Sequence, residues 1–417
     1  MRILIYGLNY APEPVGIGKY SGDLGGWLAS RGHQVRVIAA PPYFPQWKAR
    51  DNWYRRETKD RVEIWRCPLW VPRKPNGLTR LLHLASFALS SLAPLFMQRR
   101  WEPDLIVCVA PAMFCAPGAL WLGRLCGQRT VTWLHIQDFE LDAAFQLGLL
   151  KGQGIRGLAE TWERSTLLRF DRVSSISEAM LKHAVGKGVP QEKAVLLPNW
   201  VDIHAIYPQS KTQRSANAYR HELEIEPEQL VLLYSGSMNK KQGLEMVVQV
   251  IQLLSNNKQL VWVLAGEGPG QASVAEATKD LQMVRVMPLQ PIERLNDWLN
   301  VADIHLLPQK AAAADLVLPS KLLGMLSSGR PVVAASPSGS TLGTMAERAG
   351  CRVEPGDPQG FAEAVMELTT NEERRLQLGR QARQMAEEMF DMQRVLRQFE
   401  LTGAEAVSQK RGEASER

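Results

Sequence analysis

Two lysine-bearing stretches in the second half of the chain have the residue types that a phosphate site needs. The stretch "LPSKLL" places Ser320 and Lys321 where a helix is predicted to start, directly after Pro319. The amino end of a helix and a lysine ammonium both attract anions, and a serine hydroxyl can cap the helix. Upstream, "YSGSMNKKQG" follows an apolar run and carries Lys240 and Lys241. These residues predict a phosphate cradle, with a plain helix cap and solvated lysines as the alternative.

Polar side chains also gather where an apolar run of the first half ends. The stretch "TVTWLHIQDFELD" places His135 inside the run and Asp138 at its exit, followed by Glu140 and Asp142. Catalytic groups concentrate at such exits. We therefore predict Asp138 as the polar group nearest a reaction centre and His135 as the second candidate. A hydrogen-bonded core histidine is the alternative for His135.

A Pro- and Gly-rich connection follows the first apolar run, "RILIYG". It is "PEPVGIGKYSGDL", residues 12–24, and contains Gly16, Gly18 and Gly22. This spacing is one residue longer than the dinucleotide fingerprint G-x-G-x-x-G. It predicts a long loop over a ligand, with a helix after Leu24. We expect Gly16 and Gly18 to let backbone amides approach that ligand, because a Cβ would obstruct them; turn geometry alone is the alternative.

Short apolar runs alternate with helical stretches along the whole chain. Near-continuous runs of this kind are typical of parallel strands that are covered on both faces. The predicted strands are "RILIYG", "HQVRVIAA", "DLIVCVA", "TVTWLHI", "RVSSIS" and "AVLLPN", then "LVLLYSG", "LVWVLAGEG", "VRVMPL", "DIHLLP" and "RPVVAAS". A polar segment that begins at Pro208 separates the two groups.

The fold class predicted from this pattern is α/β, with two doubly wound, Rossmann-like domains that face a central cleft. The first domain would cover 1–207 and the second 208–385. A helix over 386–403 is expected to cross back to the first domain. The tail over 404–417 is polar and is predicted to be disordered.

Composition limits the function classes. A chain of 417 residues suits two domains, and its 45% hydrophobic and 22% charged residues are ordinary for a globular protein. The net charge of +6 favours anionic partners. Nucleic acid is not expected, because zinc-ligand, helix-turn-helix and RNA-binding patterns are missing from the sequence. The five cysteines are scattered and a signal peptide is not evident, which predicts a cytoplasmic location.

Several strings, in the right chain order, resemble glycosyltransferase family 4. They are "GIGKY" with "LASRGHQVRVIAA", "YSGSMNKKQGLE", "VLAGEGP", "ADIHLLPQ" and "LPSKLLGMLSSGRPVVAA". Within the family, "NYAPEPVGIGKY", "APPYFPQW" and "LHIQDFELDAA" are similar to the colanic acid biosynthesis glycosyltransferases. The resemblance implies a GT-B fold and a retaining enzyme that uses a nucleotide-sugar donor.

The sequence departs from the family pattern at two places. Family members commonly carry two glutamates eight positions apart before the "G-x-P-V-V" strand, and Leu316 and Gly324 stand there in this chain. The donor-loop pattern G-R…K-G is also changed. Its positions are occupied by Gly236, Ser237, Gln242 and Gly243. We interpret both departures as subfamily chemistry.

The resemblance implies roles for individual residues. Lys321 and Ser320 would contact the diphosphate of the donor, while Asp315 or Glu267 would meet a ribose or sugar hydroxyl. The donor-binding set predicted in this way is Gly16, Gly18, Gly236, Ser237, Lys240, Lys241, Glu267, Asp315, Pro319, Ser320, Lys321 and Leu322. Neither a cofactor nor a metal is expected.

The implied reaction is transfer of a sugar, with fucose from GDP-fucose as the first candidate, to an undecaprenyl-diphosphate-linked saccharide during colanic acid assembly. Three alternatives stay open. One is a UDP-sugar-dependent transferase acting on another polysaccharide or an O-antigen intermediate. The second is a sugar-nucleotide epimerase of the same fold. The third, suggested by the missing glutamates, is a non-catalytic scaffold that binds nucleotide sugars.

A further segment bears on the lipid. Between Arg80 and Arg99 lies "LLHLASFALSSLAPLFMQ", which contains no formally charged residue. As a helix, Leu81–Met97 would measure about 25 Å, which is marginal for a bilayer core of roughly 30 Å. Flanking cations suit the negative surface of a cytoplasmic leaflet. We predict a peripheral helix at the inner face of the cytoplasmic membrane, with a core helix of the first domain as the alternative.

Overall fold

The computed structural model describes residues 1–13, 16–43, 47–49, 51–73, 77–111, 113–127, 129–139, 141–142, 145, 153–239, 242–310 and 319–415. The chain forms two compact units. The first unit comprises Met1–Asn199 and Arg394–Arg417, and the second comprises Trp200–Gln393. Each unit is built on one β-sheet with helices between its strands.

The first unit contains β1 (Arg2–Gly7), α1 (Gly16–Ser30), β2 (Gln34–Ala39), β3 (Arg55–Lys59), β4 (Val62–Arg66), α2 (Gly77–Ser90), α3 (Leu92–Met97), β5 (Leu105–Ala110), α4 (Ala116–Leu125), β6 (Val131–Ile136), α5 (Gln153–Leu167), β7 (Arg172–Ser175), α6 (Glu178–Gly186) and β8 (Ala194–Leu196). Short 3₁₀ turns lie at Gln98–Arg100, Met113–Cys115 and Gln191–Lys193.

The eight strands of this sheet follow the order β3-β4-β2-β1-β5-β6-β7-β8. Neighbouring strands run parallel except for β3, which pairs antiparallel with β4 at the edge. All residues of β5 and β6 are buried, because helices cover both faces of the central strands. The strand order reverses between β1 and β5, and ligands bind at such a switch point in open α/β sheets.

The second unit contains α7 (Lys211–Ser215), α8 (Ala218–Glu222), β9 (Leu230–Ser235), α9 (Leu244–Leu253), β10 (Leu260–Ala265), α10 (Gln271–Thr278), β11 (Val284–Met287), α11 (Leu295–Asn300), β12 (Ile304–Leu307), α12 (Lys321–Ser327), β13 (Val332–Ala335), α13 (Thr341–Ala349), β14 (Gly350–Val353), α14 (Pro358–Thr370) and α15 (Glu372–Met385). A 3₁₀ turn lies at Ile292–Arg294 and a π-helical turn at Ala386–Phe390.

The sheet of the second unit has six strands in the order β11-β10-β9-β12-β13-β14, all parallel. Its switch point lies between β9 and β12, and in open α/β sheets ligands bind near the loops that follow the two strands at such a point. The first of these loops begins at Gly236 and the second ends at α12. The predicted α/β class with two doubly wound sheets is confirmed.

The structure divides after Asn199 rather than at the predicted 207/208 boundary. The intervening residues pack within the second unit. Val201 bridges to Asp391, and the carbonyl of Ile206 accepts from Ser327 Oγ at 2.6 Å. The polar composition after Pro208 therefore marks two short helices of the second unit rather than a linker.

The prediction of a long loop over 12–24 is wrong, because α1 already begins at Gly16. Glycine disfavours helix interiors, which made the segment resemble a loop. Packing overrides that preference here. A Cβ at Gly22 would lie 2.6 Å from the Cβ of Ala11, so the glycines of α1 let the preceding segment approach the helix closely.

The predicted disorder over 404–417 is also wrong for the described residues, since the last helix, α16 (Met392–Ser415), runs through most of this tail. Ala406 and Val407 are buried. Two cations of the tail form ion pairs with the first unit: Lys410 with Asp171 and Arg411 with Asp104, both at 2.5 Å. These tertiary contacts order a sequence that is polar by composition.

Candidate functional site

Lys321 lies at the start of α12, at the ligand-binding edge of the second sheet. Its Nζ donates a hydrogen bond to Oε1 of Gln242 at 2.9 Å. The same Nζ is 4.2 Å from the ring centroid of Tyr234, the fifth residue of β9. Ser320 is the N-cap residue as predicted, although its side chain makes no capping hydrogen bond. The ammonium is therefore held between an amide oxygen and an aromatic face.

The electrostatic setting of Lys321 favours an anion. Burial lowers the pKa of Lys321 to about 7. Across the described residues, no carboxylate forms a salt bridge with its Nζ. A lysine ammonium has three donor hydrogens, and one is directed to Gln242. A phosphate at this position would favour the protonated form and would raise the pKa of Lys321 again.

Gly236 makes room for the lysine stem. Its backbone has φ +145°, a conformation that side chains rarely adopt, and a Cβ there would lie 3.2 Å from Cδ of Lys321. The next residue, Ser237, is fixed through its carbonyl, which accepts from the hydroxyl of Tyr234 at 2.5 Å. Burial raises the pKa of Tyr234, so this hydroxyl stays protonated. The structure thus brings Gly236, Ser237 and Lys321 together.

A second loop, after β10, packs against this one. The backbone N–H of Met238 donates to the carbonyl of Glu267 at 2.8 Å, and Gly270 N–H donates to the carbonyl of Met238 at 2.7 Å. The Glu267 side chain is exposed. Glu267 therefore lies on the loop next to the donor-loop residues, and its contact with a ribose stays a prediction.

The remaining members of the predicted donor set either lie outside the described residues or are engaged within the protein. Lys240, Lys241 and Asp315 lie outside the described residues. Leu322 is fully buried in the core of the second unit, so its side chain is not available to a ligand, and that prediction is wrong for the side chain. Pro319 contributes a carbonyl that accepts from the Leu322 N–H at 3.0 Å.

Sequence reasoning missed two residues of this arrangement, Gln242 and Tyr234. Gln242 occupies the lysine position of the family's G-R…K-G pattern. The sequence alone shows this residue only as a departure from the family pattern. A glutamine amide can accept from a cation where a lysine would repel it. The sequence pattern indicates Tyr234 only as a strand residue, and it contains no signal that its hydroxyl contacts Ser237 or that its ring contacts Lys321.

In the first unit, His135 belongs to a buried hydrogen-bond network. Its Nδ1 is 2.9 Å from Oγ of Ser174 and its Nε2 is 3.1 Å from the amide nitrogen of Gln137. With that amide nitrogen as the donor, Nε2 accepts and Nδ1 carries the proton. Burial lowers the pKa of His135 to about 4, so the ring is neutral at neutral pH. Both ring nitrogens are occupied within the protein, which favours the core-histidine alternative.

Asp138 lies in the loop after β6 and is half-buried. The next residue, Phe139, packs edge-on against His183, with ring centroids 4.7 Å apart. Further along, Asp142 accepts from His183 at 2.7 Å and from Lys187 at 2.9 Å. Glu140 lies outside the described residues. Phe139 and Asp142 thus tie the chain after Asp138 to His183 and Lys187.

The two glycines of the amino-terminal segment have different surroundings. A Cβ at Gly18 would lie 2.6 Å from both Cβ and Oε2 of Glu13, a buried carboxylate that accepts from Asn9 at 2.8 Å. Gly18 is therefore explained by internal packing. Gly16 has φ +62° and meets nothing within 4 Å of its ideal Cβ. Only Gly16 leaves space that a ligand could approach.

For the residues that the structure describes, no group of three or more His, Cys, Asp or Glu side chains could hold a metal ion. The expectation that the reaction needs neither metal nor cofactor stays a prediction. Among the described residues, Lys321, the backbone of the donor loop at Gly236 and the amino end of α12 are cationic or partly positive groups at the ligand-binding edge of the second unit.

Comparisons with known proteins identify the family and the fold of the chain. Residues 15–200 match the family model described as "Glycosyl transferase 4-like domain", and residues 229–371 match "Glycosyl transferases group 1". A relative from Escherichia coli (strain K12), provisionally named colanic acid biosynthesis glycosyl transferase WcaI, is 43% identical over 96% of this chain and 98% of its own length.

Solved structures show the same fold at low sequence identity. Sucrose-phosphate synthase from Thermosynechococcus elongatus superposes with a TM-score of 0.70 at 16% identity, over 98% of this chain and all of that one. HepE from Anabaena, solved in complex with UDP, superposes with a TM-score of 0.69 at 15% identity, over 97% of this chain and all of that one.

Proposed function

The chain belongs to the nucleotide-sugar-dependent glycosyltransferases of family 4, with the GT-B fold, and on that premise we propose that it transfers a sugar to a lipid-linked saccharide during colanic acid assembly. The observation that supports this most is the 43% identity over nearly the whole length of a relative named for colanic acid biosynthesis. The cation site around Lys321 supports a donor that carries a diphosphate.

GDP-fucose is the first candidate donor and a UDP-sugar the second. The UDP candidate is supported by HepE, which has the same fold and was solved with UDP. Either donor carries two phosphates. Cleavage of the bond between the sugar and the distal phosphate leaves negative charge on the departing nucleoside diphosphate. Lys321 is suited to stabilise that charge, because its ammonium has no carboxylate partner among the residues described.

The first unit contains the residue that is the candidate for binding the sugar acceptor. We propose that Asp138 orients the acceptor hydroxyl by accepting its hydrogen bond, with retention of configuration at the sugar carbon. Asp138 stands at the exit of β6, and β6 lies beside β5, which forms the switch point with β1. His135 takes a positioning role, since its ring holds Gln137, the residue before Asp138, through a hydrogen bond.

A ligand screen followed by turnover assays tests the donor. Thermal shifts with GDP, UDP, GDP-fucose and UDP-glucose should show a selective rise in apparent stability with one nucleotide class. Incubation with the selected sugar nucleotide and a membrane lipid extract should then release free nucleoside diphosphate. Binding without release under every acceptor condition would favour the scaffold alternative. Conversion of the sugar nucleotide without any acceptor would favour the epimerase alternative.

Asp138→Asn tests the acceptor role. Asparagine keeps the volume and one acceptor oxygen but removes the charge. We expect turnover to fall about 10- to 100-fold with donor affinity unchanged. Asp142→Asn serves as the control, because it makes the same change on the same loop at a carboxylate that accepts from His183 and Lys187. If Asp138→Asn is fully active, another group orients the acceptor.

A further inference from the structure

We propose that one face of the first unit docks on an anionic lipid bilayer. This face, called the apolar face below, consists of the exposed side chains Tyr54, Trp70, Leu82, Leu89, Leu92, Phe96, Met97 and Trp121. Docking rests on the proposed function in one respect, because a lipid-linked acceptor places the substrate in a membrane. The surface itself is defined by side chains outside the donor and acceptor sites.

Helices α2 and α3 each have a buried side and an exposed side. Leu84, Phe87 and Leu95 are at most 3% exposed and belong to the core of the first unit. Leu89, by contrast, is 69% exposed. At the junction of the helices, the buried Ser91 hydrogen-bonds through Oγ to the hydroxyl of Tyr6 at 2.7 Å. The core contacts fix the rotation of both helices, so their outer leucines cannot turn inward.

Two exposed aromatic residues, Tyr54 and Trp70, are hydrogen-bonded to α2. The hydroxyl of Tyr54 donates to the carbonyl of Ser90 at 2.8 Å. The backbone N–H of Trp70 donates to Oγ of Ser86 at 2.9 Å. Tyrosine and tryptophan side chains favour the boundary between lipid and water, because they combine an apolar ring with a polar group.

A second aromatic pair extends the surface onto α4. The rings of Phe96 and Trp121 stack, with centroids 5.6 Å apart, and both side chains are exposed. Phe96 follows Leu92 by four residues, so the two share one side of α3. Large exposed apolar patches of this kind mark interaction sites on soluble units.

The positive charges near the apolar face indicate an anionic partner. The segment Thr79–Arg100 contains arginines and no acidic residue. Its three arginines, Arg80, Arg99 and Arg100, are exposed, as is the neighbouring Arg73. None of these four forms a salt bridge with any carboxylate in the described ranges. Apolar side chains flanked by unpaired arginines complement a leaflet of anionic lipids, whose surface is negative and whose interior is apolar.

The same segment is unsuited to crossing the bilayer. Over the described residues, Thr79–Arg100 is the one helical segment with the length and apolar composition of a membrane span. Its helical path is interrupted at Ser91, and 39% of its apolar window is buried within the unit. Helix α2, with 14 residues, measures about 21 Å. The helices are therefore expected to lie in the plane of the interface.

Co-sedimentation with vesicles tests the docking. The full chain is mixed at low salt with vesicles of phosphatidylcholine alone or of phosphatidylcholine with phosphatidylglycerol. We expect binding to the anionic vesicles and release by high salt. Two double variants probe the two components of the surface: Leu89→Ser with Phe96→Ser, and Arg99→Glu with Arg100→Glu. Each should weaken vesicle binding by about tenfold or more.

Matched controls carry the same substitutions on the second unit. Leu253→Ser with Ile292→Ser replaces two exposed apolar residues, and Arg348→Glu with Arg380→Glu reverses two exposed charges. These controls should bind vesicles as the wild type does. All variants are checked by thermal melting and by nucleotide binding without vesicles, so that a failure of docking is distinguished from a failure of the proposed sugar transfer.

Three results would overturn the docking proposal. One is a wild type that stays in solution with anionic vesicles at low salt. Another is weakening of vesicle binding by the controls to the same degree as by the variants of the apolar face. The third concerns self-association, measured by sedimentation velocity. If the wild type self-associates, and Leu89→Ser with Phe96→Ser abolishes this association without affecting vesicle binding, the apolar face binds a second copy of the chain instead.

Discussion

Lys321, at the start of α12 in the second unit, and His135, near the end of β6 in the first, are both basic side chains, and burial lowers the pKa of each. The pKa of Lys321 is about 7 and that of His135 about 4. They differ in hydrogen bonding. Both nitrogens of His135 have partners in the protein, whereas among the described residues Nζ of Lys321 donates one hydrogen bond, to Gln242. A lowered pKa thus accompanies both the structural role of His135 and the proposed binding role of Lys321, and the hydrogen-bond donors left for a ligand distinguish the two.

The comparison is tested most strongly by His135→Ala. Removing the ring creates a cavity, takes the His135 partner from Gln137, and leaves Ser174 Oγ with Trp133 Nε1 at 2.8 Å as its buried partner. We expect the free energy of unfolding to fall by about 2–4 kcal/mol with nucleotide affinity unchanged. His204→Ala removes an exposed histidine and should change stability by less than about 0.5 kcal/mol. A His135→Ala protein that melts like the wild type but has no turnover would make His135 catalytic and would reverse the comparison.

Lys321→Ala tests the binding side of the comparison. Loss of a charged hydrogen bond to phosphate should weaken nucleotide-sugar binding by about 1.5–3 kcal/mol, measured by calorimetry, with little change in melting temperature without ligand. Lys310→Ala is the matched control, because Lys310 lies after β12 in the same unit but is paired with Glu245 on the surface. Equal affinities of Lys321→Ala and wild type for the selected donor would remove Lys321 from the site.

Gly18→Ala and Gly16→Ala extend the comparison between a packing role and a ligand-binding role to the amino-terminal segment. The new Cβ at Gly18 would meet Glu13, so we expect a loss of about 1–3 kcal/mol in unfolding free energy. At Gly16 the Cβ enters open space, and the cost is limited to the backbone strain of about 1–2 kcal/mol. If Gly16 serves a ligand, Gly16→Ala should lose turnover beyond what its melting temperature explains. Turnover that follows stability in both variants would assign both glycines to packing.

The smallest predicted effect is the pH dependence of donor binding. A bound phosphate raises the pKa of Lys321 above its ligand-free value of about 7, so binding takes up a proton when the pH exceeds about 7. Affinity should therefore decrease as the pH rises from 7, by up to about tenfold per pH unit, until the pKa of the complex is reached.

A sugar nucleotide is the suitable ligand for this measurement, because its diphosphate has no titration near neutral pH. Calorimetry in two buffers of different ionisation enthalpy measures the proton uptake. Lys321→Arg keeps the positive charge, and because a guanidinium stays protonated near neutral pH, this variant should bind the sugar nucleotide independently of pH. A wild type whose affinity is constant above pH 7 would contradict a phosphate contact by Lys321.

The local pattern of the sequence determined the fold class and most of the strands, since long apolar runs between turn residues specify buried parallel strands whatever their neighbours are. It failed for the edge strand β3 and its neighbour β4, and for the edge strand β14. Strand β3, "RRETK", is polar and largely exposed, so its conformation depends on pairing with β4 rather than on an apolar run.

The sequence by itself also determined that Lys321 and Gly236 are binding candidates, because lysine chemistry and glycine at a strand exit are visible in the residue types. Only the tertiary structure decided that Gln242, which lies 79 residues from Lys321, accepts its hydrogen bond. Likewise it decided that His135 is saturated, that the tail is helical and that Leu89 faces outward while Phe87 faces the core. The physical reason is the same in each case, because hydrogen-bond partners and exposure are set by strand order and packing between segments distant in the chain.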